Sequence, residues 1–244
     1  MMADLGAILW KELKEIPQQS SGRRGGPFAL LIVLAVFGIF IPLQWGADFL
    51  DSGQMAFVVL LPVILIAAVI ADAFAGERER HTLETLLASP LSDRSILLGK
   101  VAAAVAWGWG ASLLCLGLSV ATVNFKYGHG KLLIFSAQTG AIVIGMSFLL
   151  SVLMASAGVL VSLRASTVRQ AQQILSIGFM VIVFGIFFIV RSLPRAWQEW
   201  MSQKGASTGA STLIILGLAV FLVIDIAILA SAMMRFRRSR LIIE

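Results

Sequence analysis

Side chains that could carry out covalent or metal chemistry are scarce in this sequence. The 244 residues include two histidines, His81 and His129, and one cysteine, Cys115, which lies in an apolar run. A metal centre needs several clustered ligands, and a covalent mechanism needs a nucleophile beside a base. No such cluster occurs, so we expect no metal site and no catalytic residue, and we interpret Cys115 as a small core or lipid-facing residue.

Asp225 is an acidic residue inside the last apolar run. It precedes Arg235 by about ten residues, which at about 1.5 Å per residue places its carboxyl group near the middle of a bilayer. An acidic group at that depth is costly and usually faces a cavity, a partner or a protonation event. Two interpretations remain open: a carboxylate that lines a transport pathway or relays protons, and an acid that is protonated or hydrogen-bonded between packed helices.

A charged segment, GERERHTLETLLASPLSDRSILLGK, occupies residues 76–100. Its three leucines at i, i+3, i+4 spacing predict a small apolar knob on one face of a short helix: Leu83, Leu86 and Leu87. Arg80 and Glu84 can form an i, i+4 ion pair at its flank. The knob must press either on the inner ends of this protein's own helices or into a groove of a cytoplasmic partner.

A sharp turn is predicted after this short helix. Pro90 disfavours the helical conformation at Ser89, so the first helix should end there. Ser92 can then cap a second helix that begins at Asp93 and continues through Lys100 into the next apolar run.

The composition identifies the elements that must position these residues. The chain is 59% hydrophobic and 13% charged, with a mean hydropathy of +0.93. Soluble domains contain about 25% charged residues, so the sequence predicts an all-α integral membrane protein in a lipid bilayer. A net charge of +6 does not by itself indicate nucleic acid in such a protein, and we expect no nucleic-acid partner.

Six apolar runs approach the roughly 20 residues that a membrane-spanning helix needs. They cover residues 27–46, 56–75, 96–123, 132–163, 174–190 and 212–234. The fourth run is long for one span, so we expect a helix that tilts or projects beyond the bilayer. We expect residues 1–244 to form a single transmembrane domain.

The basic residues orient these spans. Of the 19 Lys and Arg residues, 14 fall on the side that contains both termini and the charged segment, and five fall on the other side. Basic residues concentrate on the cytoplasmic side. We therefore predict cytoplasmic termini and a multi-pass topology in the cytoplasmic (inner) membrane of a prokaryote.

Two further helices are predicted at the membrane surfaces. Residues 1–20 form an amphipathic interfacial helix whose apolar stripe is interrupted by Glu12 and whose end fits Pro17. Between spans 5 and 6, Trp197 and Trp200 belong to an amphipathic pattern that predicts a short outer helix capped by Ser192.

The charged segment resembles the segment that follows the second span in type-2 ATP-binding-cassette (ABC) permeases, the membrane subunits of exporters. The matching residues are Glu77, Arg78, Glu79, Arg80, Thr82, Leu83, Glu84, Leu86, Leu87, Ser89, Pro90, Ile96, Gly99 and Lys100. His81 departs from the pattern, which usually has glycine there. The order of elements along the chain is also similar to that of the family.

The resemblance implies a function for residues 77–95, here named the coupling segment. In the family this segment docks on a nucleotide-binding subunit and transmits its motion. The residues implied in coupling are Glu77, Arg80, Leu83, Glu84, Leu86, Leu87 and Pro90. The sequence lacks a G-x-x-x-x-G-K-[ST] motif, so we expect ATP and Mg²⁺ to be bound by a separate ABC ATPase, with a second permease copy or a sister permease completing the assembly.

Three other functions are compatible with parts of the sequence. A haem-exporter-type ABC membrane subunit has a similar length, but its insert is less similar. A proton-coupled secondary transporter could use Asp225, although such carriers usually contain repeated halves, and no clear repeat is present. An intramembrane enzyme is the least favoured, because the predicted topology puts His81 and His129 on opposite sides of the membrane.

Overall fold

The computed structural model describes residues 2–22, 26–51, 53–82, 91–192, 194 and 210–236. Within these ranges the regular structure is entirely helical. The helices are α1 (Met2–Gly22), α2 (Gly26–Ala35), α3 (Ile41–Trp45), α4 (Asp48–Asp51), α5 (Ala56–Glu79), α6 (Asp93–Tyr127), α7 (Ala137–Ser162), α8 (Val168–Ser192) and α9 (Ala210–Arg235). A π-helical turn, Val36–Phe40, joins α2 to α3, and a 3₁₀ turn, Gly53–Met55, precedes α5.

Five of the described helices are long and apolar enough to cross a membrane. These spans are Ala56–Glu79, Asp93–Tyr127, Ala137–Ser162, Val168–Gly185 and Ile215–Arg235. They correspond to the second to sixth predicted runs. The first predicted run corresponds to α2, the π turn and α3, within which the apolar helix Leu30–Trp45 is shorter. The all-helical membrane architecture is confirmed, whereas the six-span layout stays a prediction.

The main core lies between α5, α6 and α7, with the beginning of α8 packed against it. Close contact between α5 and α7 depends on Gly158, where an added Cβ would lie 2.1 Å from a side-chain carbon of Ile70. Glycine lets two membrane helices approach this closely because it presents no side chain. A second, smaller core surrounds Phe49 and Val58 near the other end of α5.

Helix α1 packs on the beginning of α6 with its apolar stripe. Ile8 and Ile16 are buried, and an added Cβ on Gly99 would lie 2.5 Å from Ile8. The predicted end at Pro17 is wrong, because the helix continues to Gly22. Proline removes one backbone hydrogen bond, but its φ angle is compatible with a helix, so the remaining bonds can carry the helix past it.

The helix that corresponds to the fourth run is shorter than the run, and its tilt or projection beyond the bilayer stays a prediction. Helix α7 begins only at Ala137, where the side chain of Ser136 accepts a hydrogen bond from Thr139 N. The preceding apolar residues belong to an irregular connection held by Asn124, whose amide side chain bonds both the N–H and the carbonyl of Leu133 at 2.7 Å. The hydrogen bonds of Asn124 and the N-cap Ser136 therefore keep the first residues of the run out of the helix. Hydropathy alone does not indicate this boundary.

The predicted outer helix falls almost entirely outside the described residues, of which only Pro194 lies between positions 193 and 209. Ser192, predicted as its N-cap, is instead the last residue of α8. A residue inside a helix has helical backbone angles, whereas an N-cap residue does not.

Candidate functional site at the charged end of the bundle

Charged side chains gather at one end of the helix bundle, here named the charged end. It comprises the last turn of α5 and the turn 80–82, the first two turns of α6, the loop 163–167 between α7 and α8, and the face of α1 that packs on α6. The coupling segment begins and ends within it.

A hydrogen-bonded turn terminates α5 at the charged end. Thr82 N–H donates to the carbonyl of Glu77 at 2.9 Å, and His81 N–H donates to the carbonyl of Arg78 at 3.1 Å. This pair of bonds is the Schellman arrangement, whose left-handed residue is usually glycine. His81 occupies that position with φ 55°. The histidine that departs from the family pattern therefore lies where the backbone itself favours glycine.

Lys100 lies almost completely buried in α6, with 3% of its surface exposed. Its ammonium group donates to Glu77 Oε1 at 2.9 Å and to Glu12 Oε1 at 2.8 Å. Glu77 is the first residue of the coupling segment and Lys100 follows its last residue, so this pair joins the two ends. Glu12, which interrupts the apolar stripe of α1, is explained by the same contact. The other oxygen of Glu77, Oε2, is buried and finds no hydrogen-bond partner among the described residues.

Arg78 and Glu79 face the loop between α7 and α8. The guanidinium group of Arg78 donates to the carbonyl of Ala165 at 2.7 Å and to that of Leu163 at 3.0 Å. The carboxylate of Glu79 accepts a hydrogen bond from Val168 N–H, the first residue of α8, at 2.9 Å. These contacts satisfy backbone groups that the ends of two helices leave unpaired.

Ser162 fastens α7 to α5 at the same level. Its hydroxyl accepts from Phe74 N at 3.2 Å and Ala75 N at 3.0 Å and donates to the carbonyl of Ala71 at 3.0 Å. The serine is fully buried. A buried hydroxyl with all of its hydrogen-bonding capacity used fixes the register of two helices more strictly than apolar contact does.

Arg80 turns back along its own helix. Its guanidinium group forms a two-point contact with the carboxylate of Asp72, at 3.2 and 3.0 Å, and these hydrogen bonds raise the pKa of Arg80 above its usual value. Glu84, the partner predicted for Arg80, lies outside the described residues. Asp72 and Arg80 line a small cavity together with Glu12, Glu77 and Lys100.

The structure places the residues implied in coupling in two groups. Glu77 and Arg80 lie at the charged end, each bound to another part of this chain. The other five fall outside the described residues: Leu83, Glu84, Leu86, Leu87 and Pro90. Helix α6 begins as predicted at Asp93, because the Ser92 side chain accepts a hydrogen bond from Ser95 N.

Sequence reasoning assigned no internal contact to Glu12, Arg78, Glu79 or Lys100. A lone acidic residue on an apolar stripe was a usable signal for Glu12, since such a residue needs a buried cation. The partners of Arg78 are backbone carbonyl groups. Every residue has such a group, so the sequence could not indicate which ones Arg78 binds.

Asp225 does not belong to the charged end. It lies midway along α9 with 2% of its surface exposed, and neither carboxylate oxygen has a hydrogen-bond partner among the described residues. Several neighbours on the same helix are exposed, including Val223, Ile224 and Ile226. Asp225 therefore points to the one face of α9 that packs on the bundle, where α9 contacts α7.

Comparison with known proteins identifies the family. The model of the ABC-2 type transporter family matches residues 3–204, which is most of the chain. The chain belongs to this family. The permease is also 30% identical over 151 residues to a protein of Bacillus subtilis (strain 168) named ABC transporter permease protein NatB.

The matched region of that relative is limited. It covers 57% of the permease and 39% of the relative, so the chain spans well under half of the relative's length. Family membership and the apolar helices establish a multi-pass membrane protein of the ABC transporter permease class. Membership of this class suggests a transport subunit without enzymatic activity of its own, and the family in general works with an ATPase.

Proposed function

We propose that this chain is the membrane subunit of an ABC exporter and that the coupling segment docks on a separate ATPase subunit, which binds ATP and Mg²⁺. A second permease copy or a sister permease completes the assembly. The chemistry of this subunit is conformational, because it biases the pathway between inward-open and outward-open states without making or breaking a bond.

The observation that carries the proposal is the way the ends of the coupling segment are held. Glu77, the first residue of the segment, and Lys100, which follows its last residue, are joined through a buried ion pair. Arg78, Glu79 and Ser162 then connect the same region to α7 and α8. A segment that transmits force must have its ends fixed to the rest of the protein by contacts of this kind. A force applied to a loosely held loop would only deform the loop.

The docking function is tested by Leu86→Asp. A charge in the apolar knob should prevent its burial in a groove of the ATPase, since an unpaired buried charge is strongly unfavourable. We expect the variant to insert in the membrane and to lose co-purification with the ATPase. The matched control is Leu132→Asp, which introduces the same charge at an exposed leucine far from the coupling segment. Retained binding by Leu86→Asp would refute the docking function.

We further propose that the charged end faces the cytoplasm and that the chain lies in the inner membrane of a prokaryote with both termini inside. The support is the basic-residue distribution, with 14 of the 19 Lys and Arg residues assigned to that side.

This topology is tested with single cysteines at two exposed positions, Arg164→Cys in the charged end and Lys131→Cys in the connection before α7. A membrane-impermeant thiol reagent added to intact spheroplasts should label only the second. The wild-type chain is the control, because its one cysteine, Cys115, is buried. The reverse labelling pattern would overturn the topology.

A further inference from the structure

We propose that Glu79 and Arg78 are positioning residues that fasten the beginning of α8 to the coupling segment, so that displacement of this segment tilts α8. The inference rests on the proposed docking function, since it concerns how the movement leaves the docked segment. It assigns the two residues an internal task in place of a contact with the ATPase.

Glu79 holds the first turn of α8. The first N–H groups of a helix have no intrahelical partner, and a carboxylate is favoured beside them by the helix dipole. Glu79 takes the N–H of Val168, while Thr167 accepts from Gln170 N–H at 3.1 Å. One cap of α8 is therefore local, and the other is supplied by the helix that leads into the coupling segment.

Arg78 holds the loop immediately before α8. Its two donors reach the carbonyls of Leu163 and Ala165, on both sides of Arg164. The planar guanidinium group fixes two acceptors in one geometry, which a flexible ammonium group does not. Two adjacent residues of α5 thus bind this region: Arg78 binds the loop between α7 and α8, and Glu79 binds the first residue of α8.

The middle of α8 packs less closely on the described part of this chain. Val168, Ala171 and Leu175 are buried against the main core, whereas Met180, Val181 and Ile182 are exposed. A helix of 25 residues is about 37 Å long. Because α8 is packed mainly at its beginning, a small displacement there changes the direction of the whole helix.

Helix α7 shows the contrasting arrangement. Buried residues occur from Gly140 to Ser162, along nearly the whole of its length. A helix packed along its length cannot tilt without breaking that packing. Of the two helices that the loop 163–167 joins, α8 is therefore the one that can respond.

The test uses the permease in complex with its ATPase in lipid nanodiscs, with an environment-sensitive bimane fluorophore on Val181→Cys. Its emission is compared with and without ATP and Mg²⁺. Glu79→Leu removes the acceptor for Val168 N–H, whereas Glu79→Gln keeps an acceptor oxygen of the same reach. We expect the nucleotide-dependent change of emission to be preserved in Glu79→Gln and lost in Glu79→Leu, with ATPase binding retained in both.

Arg78→Lys is a second variant, which keeps the positive charge but loses the planar pair of hydrogen bonds to the carbonyls of Leu163 and Ala165. It should also diminish the emission change. An undiminished change in both Glu79→Leu and Arg78→Lys would overturn the inference. The inference also fails if the ATPase binds and nucleotide leaves the emission of the otherwise wild-type complex unchanged, an outcome that leaves the docking function intact. If no ATPase binds the wild-type permease, the proposed function itself fails.

Discussion

Lys100 and Asp225 are both almost fully buried and ionisable, yet their surroundings are opposite. Lys100 meets two carboxylates from two other helices. Asp225 meets no hydrogen-bond partner among the described residues. Burying a charge is costly unless it is paired. Lys100 is therefore a structural contact, whereas the two interpretations of Asp225, a pathway carboxylate and a packing residue, both stay open.

The two regions that contain these residues differ in the same way. At the charged end, side chains of α5 bind α6, the loop 163–167 and α8, and Ser162 of α7 binds the backbone of α5. Around Asp225, α9 is largely exposed and touches the bundle along one face. The comparison indicates a rigid base at the charged end and a sparsely held helix elsewhere, and three substitutions test it.

The largest effect is expected for Lys100→Met. Removing the ammonium group leaves the carboxylates of Glu12 and Glu77 close together without their cation, and breaking a buried pair in this way costs about 3–5 kcal/mol. The thermal unfolding midpoint of the purified permease should fall markedly. Lys131→Met, at an exposed position, should change the stability by about 0.5 kcal/mol or less. Similar midpoints for the two variants would show that the buried contact contributes nothing to the rigid base.

Asp225→Asn should have a much smaller effect on stability. Asparagine has nearly the same shape, and no hydrogen bond to a described residue is lost, so we expect a change within about 1 kcal/mol. If the carboxyl group lines the pathway, transport by the complex changes while expression and unfolding midpoint do not. Unchanged transport would leave Asp225 as a packing residue. A large loss of stability would contradict the absence of a hydrogen-bond partner among the described residues.

The smallest effect, and one of opposite sign, is expected for His81→Gly. The left-handed conformation costs a non-glycine residue about 1–2 kcal/mol, and glycine removes this cost. Glycine also makes the unfolded chain more flexible, which lowers the stability of the folded state by about 0.5–1 kcal/mol. The permease should gain about 0.5–1 kcal/mol, measured as a raised unfolding midpoint. His81→Ala keeps the strain and should give no gain. Equal midpoints for the glycine and alanine variants would exclude backbone strain at this turn.

Several elements could be predicted from the sequence because their signals are local. The second to sixth apolar runs each correspond to a helix that can cross a membrane. Ser92 caps α6 as predicted, since a cap depends on residues three positions apart. Pro17 indicated too early an end for α1, because a proline removes one helix hydrogen bond without preventing the rest. The fourth run indicated too early a start for α7, because a hydropathy average ignores the hydrogen bonds of Asn124 and Ser136.

The contacts of the charged end could not be predicted in this way. Glu12 and Lys100 are 88 residues apart, and Glu79 and Val168 are 89 apart. No periodicity connects such positions, and most of the partners are backbone groups, which do not depend on residue type. The exposed face of α8 and the burial of Asp225 likewise depend on which helices are neighbours.

By itself the sequence determined that the chain is helical, lies in a membrane and contains one charged segment, because hydropathy and composition act through the solvent and need no tertiary contact. Only the tertiary structure decided that Glu77, Arg78, Glu79 and Arg80 each bind a different part of the chain. The physical reason is that an ion pair or a cap forms where folding brings two groups within about 3 Å, a distance that no spacing along the sequence specifies.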